Sequence, residues 1–489
     1  MGSGVRLRAT LLLCALASCE SAPLAPRPEG PRVIGVSPGA NGPVTAHNLE
    51  IIIEFEAPLE AASVDDADVQ LFGRWTGVVA GTVVLENAGR RLRFTPLGSL
   101  GAGELVTASI AAGAVRGVDG NATVRGHAWM FWTLPVPSGA SFGNGVQRSL
   151  RRPGEGRIRT YGAFAGDLNG DGWSDLVLPN EDSNDLRILL NDGTGGYGAM
   201  SIVPVPRGGA PSTNEGADFD GDGDMDLAVG SAHGRFVTVF LGDGAGGLVH
   251  HQDLESGNDV RGLCALDLEG DGDADLAATS FGEGHVSVFV NDGAGNFTRS
   301  RTLNVGGGVW SCATGDADGD GLIDLFIGLR TSLQVAVLLS NGDGTFRESG
   351  RTAAGGDPWM LAAGDMNGDG NIDIVAINTV TEYVAVITGD GRGDLALAER
   401  YSFPGFPLAV DLGDLDGDGD LDVVTSSFEH AVFGIFQNDG SGRLTRRADA
   451  LRASSAASCV VLHDRDGDGD LDITGIDELD DVIVLFENG

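Results

Sequence analysis

The chain contains no lysine. All 31 of its basic residues are arginine, set against 70 aspartates and glutamates, and the formal charge is −39 over 489 residues. A surplus of that sign repels a phosphate backbone, so nucleic acid is excluded as a partner. Five cysteines are too few for a disulfide framework. Two of them, Cys14 and Cys19, fall in the first nineteen residues. The other three, Cys264, Cys312 and Cys459, lie three, four and five residues before aspartate-rich segments. Those unequal offsets suggest small buried apolar side chains, with a disulfide as the lesser alternative. No segment approaches eighteen consecutive apolar residues, so none reads as a membrane-crossing helix. The patterns H-E-x-x-H and the P-loop are missing, and the eight histidines are scattered. His233, His285 and His430 are expected to be exposed loop residues. Nothing here asks for an enzyme.

What is abundant is aspartate with glycine. The stretch 218–229 reads DFDGDGDMDLAV, with Asp218, Asp220, Asp222, Asp224 and Asp226 inside nine positions. Neighbouring ionised carboxylates repel by roughly 1 kcal/mol at contact distance even in water. Such a stretch must stay disordered or take up cations, and the apolar run Leu227-Ala228-Val229 argues against disorder. Oxygen donors at alternate positions, with Gly221 and Gly223 turning the chain, suit six-to-eight-coordinate Ca²⁺. Zinc would want Cys or His. An acid at position 9 rather than 12, followed by a strand, excludes an EF-hand.

The pattern D-x-(D/N/E)-G-D-G-x-x-D recurs seven times, at steps close to 49 residues. Position 1 holds Asp167, Asp218, Asp267, Asp316, Asp365, Asp414 and Asp464. Position 3 holds Asn169, Asp220, Glu269, Asp318, Asn367, Asp416 and Asp466. Position 5 holds Asp171, Asp222, Asp271, Asp320, Asp369, Asp418 and Asp468, and position 9 holds Asp175, Asp226, Asp275, Asp324, Asp373, Asp422 and Asp472. These 28 residues are the expected metal ligands for about seven Ca²⁺ ions. Position 7 varies from Trp173 to Asp224 and Leu322, as expected where only a backbone carbonyl reaches the metal. The longer arm of Glu269 is expected to distort its site. Twenty-six of the 70 acidic residues occupy these positions, and seven ions would bring the formal charge to about −25.

Around each loop the pattern predicts a leading strand, an apolar second strand, a third such as His285-Val-Ser-Val-Phe-Val, an Asp-Gly turn, and a fourth. Four strands per repeat describe a propeller blade. The last repeat reaches Asn488-Gly489 with three strands, so the fourth is expected at the front, where Ser138-Gly-Ala-Ser-Phe142 matches the Gly-rich turn and aromatic that begin strand four elsewhere, and its pairing leaves no open sheet edge. The expected fold is therefore all-β, a seven-bladed β-propeller over 138–489. These residues resemble the FG-GAP and VCBS repeat family, the calcium-binding propeller of integrin α chains. The resemblance implies Ca²⁺ in the loops between strands one and two on the lower face, and ligands docking on the upper face.

Residues 32–134 have a different periodicity, with seven short candidate strands in which, for example, Ile51, Ile53 and Phe55 alternate with Ile52 and Glu54. Val-Ser-Pro-Gly-Ala at 36 and the closing Trp-Met-Phe-Trp-Thr make this unit resemble a bacterial Ig-like β-sandwich, placed as a stalk ahead of the propeller. Residues 1–18 read as a signal peptide. Its Leu16-Ala17-Ser18-Cys19 resembles a bacterial lipobox, which implies lipid on Cys19, with an ordinary secretory signal as the alternative. The Pro-rich 19–31 reads as a tether. The expected setting is the bacterial cell envelope, reached by lipid anchor alone.

Six residues before each loop stand Tyr161, Ser212, Arg261, Trp310, Trp359, Leu408 and Ser458. Of these, Tyr161, Arg261, Trp310 and Trp359 are the candidate ligand contacts, for a protein or a glycan at the cell surface; the bland alternative is that the tryptophans wedge between blades. The function expected is calcium-stabilised binding or adhesion. A lectin role is the first alternative, and action on polysaccharides is a remoter one.

Overall fold

The structure, a computed structural model, describes residues 30–46, 49–448 and 451–489. The expected signal, Cys19 and nearly all of the tether lie outside the described residues. No described helix is long and apolar enough to cross a membrane.

Residues Val33 to Leu134 form two sheets. One runs Val33–Ser37, Ile51–Phe55, Arg91–Pro96, Gly81–Glu86; the other runs Pro43–Thr45, His127–Leu134, Leu105–Ile110, Val69–Gly73, Gly77–Val78. Period-2 alternation places Ile51, Ile53 and Phe55 in the core, each at most 1 % exposed, against Leu92, Phe94 and Phe131. Nine strands replace the seven expected, because the short Pro43–Thr45 and Gly77–Val78 carry no alternation to read. The sandwich holds without cysteine.

Seven antiparallel sheets follow in a propeller-like repeat, six of four strands and the sixth of five, in which Leu444–Arg446 and Leu451–Arg452 both pair with Val432–Asn438. The second is typical: Pro211–Ala217, Asp226–Ser231, Phe236–Gly242, Leu248–Glu255. In all seven the second strand begins at the position 9 aspartate, and all six of its residues are buried. That burial on both faces is why these segments read as continuous apolar runs. The leading strands of successive sheets contact one another in chain order, and Phe164–Gly166 of the first contacts Ala457–His463 of the last.

An N-terminal strand does complete the last sheet, but it is Val146–Ser149, paired with Val482–Phe486, and it starts four residues past the Phe142 where it was expected to begin. Phe142 is followed by Gly143-Asn-Gly145, which delays the strand, and Gly145 lies so close to Val484 and Phe486 that a Cβ would stand 2.5 Å from both.

Two further expectations need correction. Cys264 and Cys312 form a disulfide between the leading strands of the third and fourth sheets, with Cα atoms 6.4 Å apart. Their unequal offsets obscured it, yet a one-residue difference still places two cysteines side by side on neighbouring strands. Cys459 matches the buried apolar reading, and burial pushes its thiol up to about 12. His285 is not a loop residue: it opens the strand His285–Val290, 6 % exposed, with Nε2 2.8 Å from the Ser256 carbonyl oxygen.

The Ig-like unit is no free stalk. Strand His127–Leu134 is apolar on both faces: Trp129 and Phe131 enter the sandwich core, while Ala128, Met130 and Trp132 pack into clusters of the repeat sheets. A strand with two apolar faces needs cover on both. Burying one indole of that size is worth about 4 kcal/mol as an upper estimate.

Candidate metal loops and the channel mouth

The seven loops share one hydrogen-bond plan. The position 1 aspartate accepts from the backbone N–H of Gly at position 6, at 2.8–3.1 Å, in every copy. In six copies it also accepts from Gly at position 4. Both glycines sit at positive φ, for example Gly221 at 73° and Gly223 at 95°, where a side chain would be strained. The position 9 aspartate has a second duty that spacing did not reveal. One oxygen accepts from the N–H of position 2 and the other from the N–H sixteen residues on, as Asp226 does from Phe219 and Gly242 at 2.7 Å each. All seven copies make both bonds. Position 9 thus ties loop, second strand and third strand together.

In four loops three carboxylates converge, each offering an oxygen within 4.8 Å of the others: Asp218, Asp220, Asp226; Asp316, Asp318, Asp320; Asp414, Asp416, Asp418; and Asp464, Asp466, Asp468. In loops one and five position 3 is Asn169 and Asn367, whose amide oxygens accept from the N–H of position 5 at 3.0 and 2.9 Å. The donor set fits a hard divalent cation, and a direct observation supports the fit. Buried oxygens of Glu269, Asp318, Asp416 and Asp466, all at position 3, have no hydrogen-bond partner. Burial pushes Asp226 up to about 7, and Asp324 and Asp422 to about 8. Loop three differs as expected: the three carboxylates do not converge, and Glu269 turns toward Asp275, both held above the usual carboxylate range chiefly by burial.

The Ig-like unit lies on this loop face and reads its backbone. Ala112, Ala128 and Val136 donate N–H to the carbonyls of Gly270, Gly321 and Gly469, at 2.6–2.8 Å, and Asn41 Nδ2 donates to that of Gly370. Arg125 pairs with Asp320, a position 5 acid. The hairpin tip Arg74-Trp75-Thr76 reaches the leading strands: Arg74 Nη1 lies 2.8 Å from Asp411 Oδ1, and the Trp75 carbonyl accepts from Asp167 N–H. Glu104, buried beneath it, accepts from Trp75, Thr76 and Gly101 and so fixes the tip. A cavity of about 870 Å³ extends from this tip along the leading strands to the opposite mouth, where Tyr161, Arg261, Trp310 and Trp359 also line it.

Those four candidates do meet. A pairing shift recurs at the head of six leading strands, and Ser212, Arg261, Trp310, Trp359, Leu408 and Ser458 fall inside it, left out of the ladder. Trp310 and Trp359 lie 4.4 Å apart between ring centroids, and Trp359 Nε1 donates to the Tyr161 hydroxyl at 3.2 Å. The first and fifth sheets thus touch through their side chains. Trp310 is buried, as the packing alternative expected, while Trp359 is half-exposed. Sequence reasoning missed the rest of the mouth. Fourteen residues after the start of each loop stand Glu181, Ala232, Phe281, Arg330, Thr379, Phe428 and Glu478, a second variable repeat position that was there to be found. Arg330 lies over Trp310 and Trp359 at 4.3 and 4.4 Å, and Arg261 over Trp310 at 4.9 Å. Glu181 and Glu478, on the first and last sheets, pair with Arg159.

Comparison with known proteins agrees with this architecture. The FG-GAP-like repeat model matches six overlapping spans, 167–229, 218–278, 267–327, 317–376, 365–425 and 414–474, more than half of the chain and all seven loops. The chain belongs to the FG-GAP-like repeat family. Residues 28–133 match the bacterial Ig-like domain. Among solved structures, BBS1N in complex with ARL6DN is 14 % identical, covers 72 % of this chain and 98 % of its own, and has a TM-score of 0.51, a likeness of fold. A Lactobacillus plantarum protein is 16 % identical over 80 % of this chain and 98 % of its own, TM-score 0.45. An Agrocybe aegerita lectin, described with specific recognition of non-reducing terminal N-acetylglucosamine, is 18 % identical over 88 % of this chain and 99 % of its own, TM-score 0.41. Comparison with curated proteins gives no match.

Proposed function

We propose that this is a calcium-stabilised binding protein of the bacterial cell envelope, lipid-anchored through Cys19, whose seven sheets are the blades of a closed propeller. The ring closes through Val146–Ser149. The four loop residues of each blade hold Ca²⁺ with backbone help at position 7, and the ions offset charge that the fold otherwise concentrates on one face. At extracellular strength, about 10⁻⁴ to 10⁻³ M per site, the loops fill where calcium is plentiful. The opposite mouth takes a protein or glycan ligand and carries out no catalysis.

The observation that carries this reading is the division of labour between the two ends of the leading strands. One end repeats the same carboxylates seven times, as scaffolding requires. The other holds five different residue types across the seven copies and gathers Trp310, Trp359, Tyr161 and Arg261 into one cluster. The test is a glycan and protein array probed with the full chain, with and without calcium, beside the Trp310→Ala/Trp359→Ala variant. Binding that needs calcium and the tryptophans supports the proposal. Turnover of an acidic polysaccharide by the wild type would replace it with the enzyme alternative.

A further inference from the structure

The mouth is not uniform. Phe281, Trp310, Trp359, Phe406 and Phe428 touch in succession, with centroid steps of 4.8, 4.4, 6.1 and 6.5 Å, making one aromatic arc across four neighbouring sheets. Two cations stand on that arc, Arg261 with no paired anion among the described residues and Arg330 with one shared anion at the limit of ion-pair distance. The Arg261 guanidinium has no hydrogen bond or ion pair with any described residue, and its Nε is buried and unpartnered. Glu181 acts on it from a distance but pairs with Arg159 at 3.0 Å. Arg330 has only Asp357, at 4.0 Å, and both oxygens of Asp357 already accept from Val380 N–H, one of them also from Thr381 N–H. The Tyr161 hydroxyl accepts from Trp359, and its own proton meets no acceptor among the described residues.

Guanidinium donors short of partners and half-buried on one arc, in a chain with 39 excess negative charges, are the counterpart of the unpartnered carboxylate oxygens in the loops. Resting on the binding role proposed above, we infer that Arg261 and Arg330 hold the carboxylate of an acidic sugar chain whose ring faces lie along the aromatic arc, with the Tyr161 hydroxyl as a third donor. A pyranose chain bearing carboxylates presents flat C–H faces and an anion together, which is the combination that arc and cations offer. An acidic peptide places its carboxylates on flexible stems and leaves the arc uncovered.

Calorimetric titration of the full chain in calcium buffer, with oligoglucuronate, its neutral methyl ester and poly-glutamate as probes, tests this. The expected result is binding of oligoglucuronate, about tenfold or more weaker for Arg261→Gln and for Arg330→Gln at unchanged melting temperature, and weaker still for the ester. Tyr161→Phe should lose a few-fold. Equal binding of the ester, or indifference to both arginine variants, overturns the anion site while leaving the wider binding role to the array. Arginine-dependent binding of poly-glutamate at equal strength overturns the sugar assignment. No uptake of any probe overturns the inference entirely.

Discussion

The two ends of the leading strands, roughly 20 Å apart by strand rise, solve opposite problems. At the loop end every copy is nearly the same, because each must hold one tight turn and bind its strands through the position 9 aspartate. At the mouth the copies diverge, because residues left out of the ladder by the recurring shift support nothing in their own sheet and are free to differ. Repetition marks the load each sheet bears alone, and divergence marks what the sheets present jointly.

The comparison breaks most visibly if calcium is irrelevant. At ten times Kd each site adds about 1.4 kcal/mol, so seven sites together add on the order of 10 kcal/mol. Chelation with EDTA should therefore lower the melting temperature by roughly 10–20 °C in a calorimetric scan. A smaller effect separates the two duties of the loop acids. Asp226→Ala removes a buried acceptor from two N–H groups and should cost about 2–5 kcal/mol even without calcium, and more with it. Asp220→Ala should lose stability only when calcium is present, and denaturant unfolding in both buffers checks the pair. Arg74→Ala should cost about 1.5–3 kcal/mol by removing the hydrogen-bonded ion pair to Asp411, and it should raise amide exchange in 74–76. Smallest is Glu215, facing the cavity, which burial pushes up to about 7. Its folded value exceeds its unfolded one, so its contribution is present in full below about pH 4.3 and is lost as pH rises through 7. Glu215→Gln should flatten that slope in melts from pH 5 to 8.

Much of this was legible in the sequence, for reasons tied to particular residues. The seven-fold Asp/Gly register fixed the loops, and Ile51, Ile53 and Phe55 announced the sandwich, because period and burial leave direct marks on composition. Three features left no such mark. The Cys264–Cys312 bridge depends on which strands are neighbours, not on matching offsets. The closing strand depends on Gly145 meeting Phe486, and the seating of the Ig-like unit on glycine carbonyls of the loops involves backbone atoms common to every residue. Arg330 and Phe428 occupy one repeat position but differ in chemistry, so a search for sameness passed over the position that shapes the mouth.

Cation sites and merely hydrogen-bonded turns differ in what the loops take up. Equilibrium dialysis of the full chain against ⁴⁵Ca²⁺ tests the difference most directly. Uptake should approach seven ions per chain, with loop three the weakest because Glu269 turns toward Asp275; uptake of one ion or none at millimolar calcium would leave the loops as hydrogen-bonded turns alone.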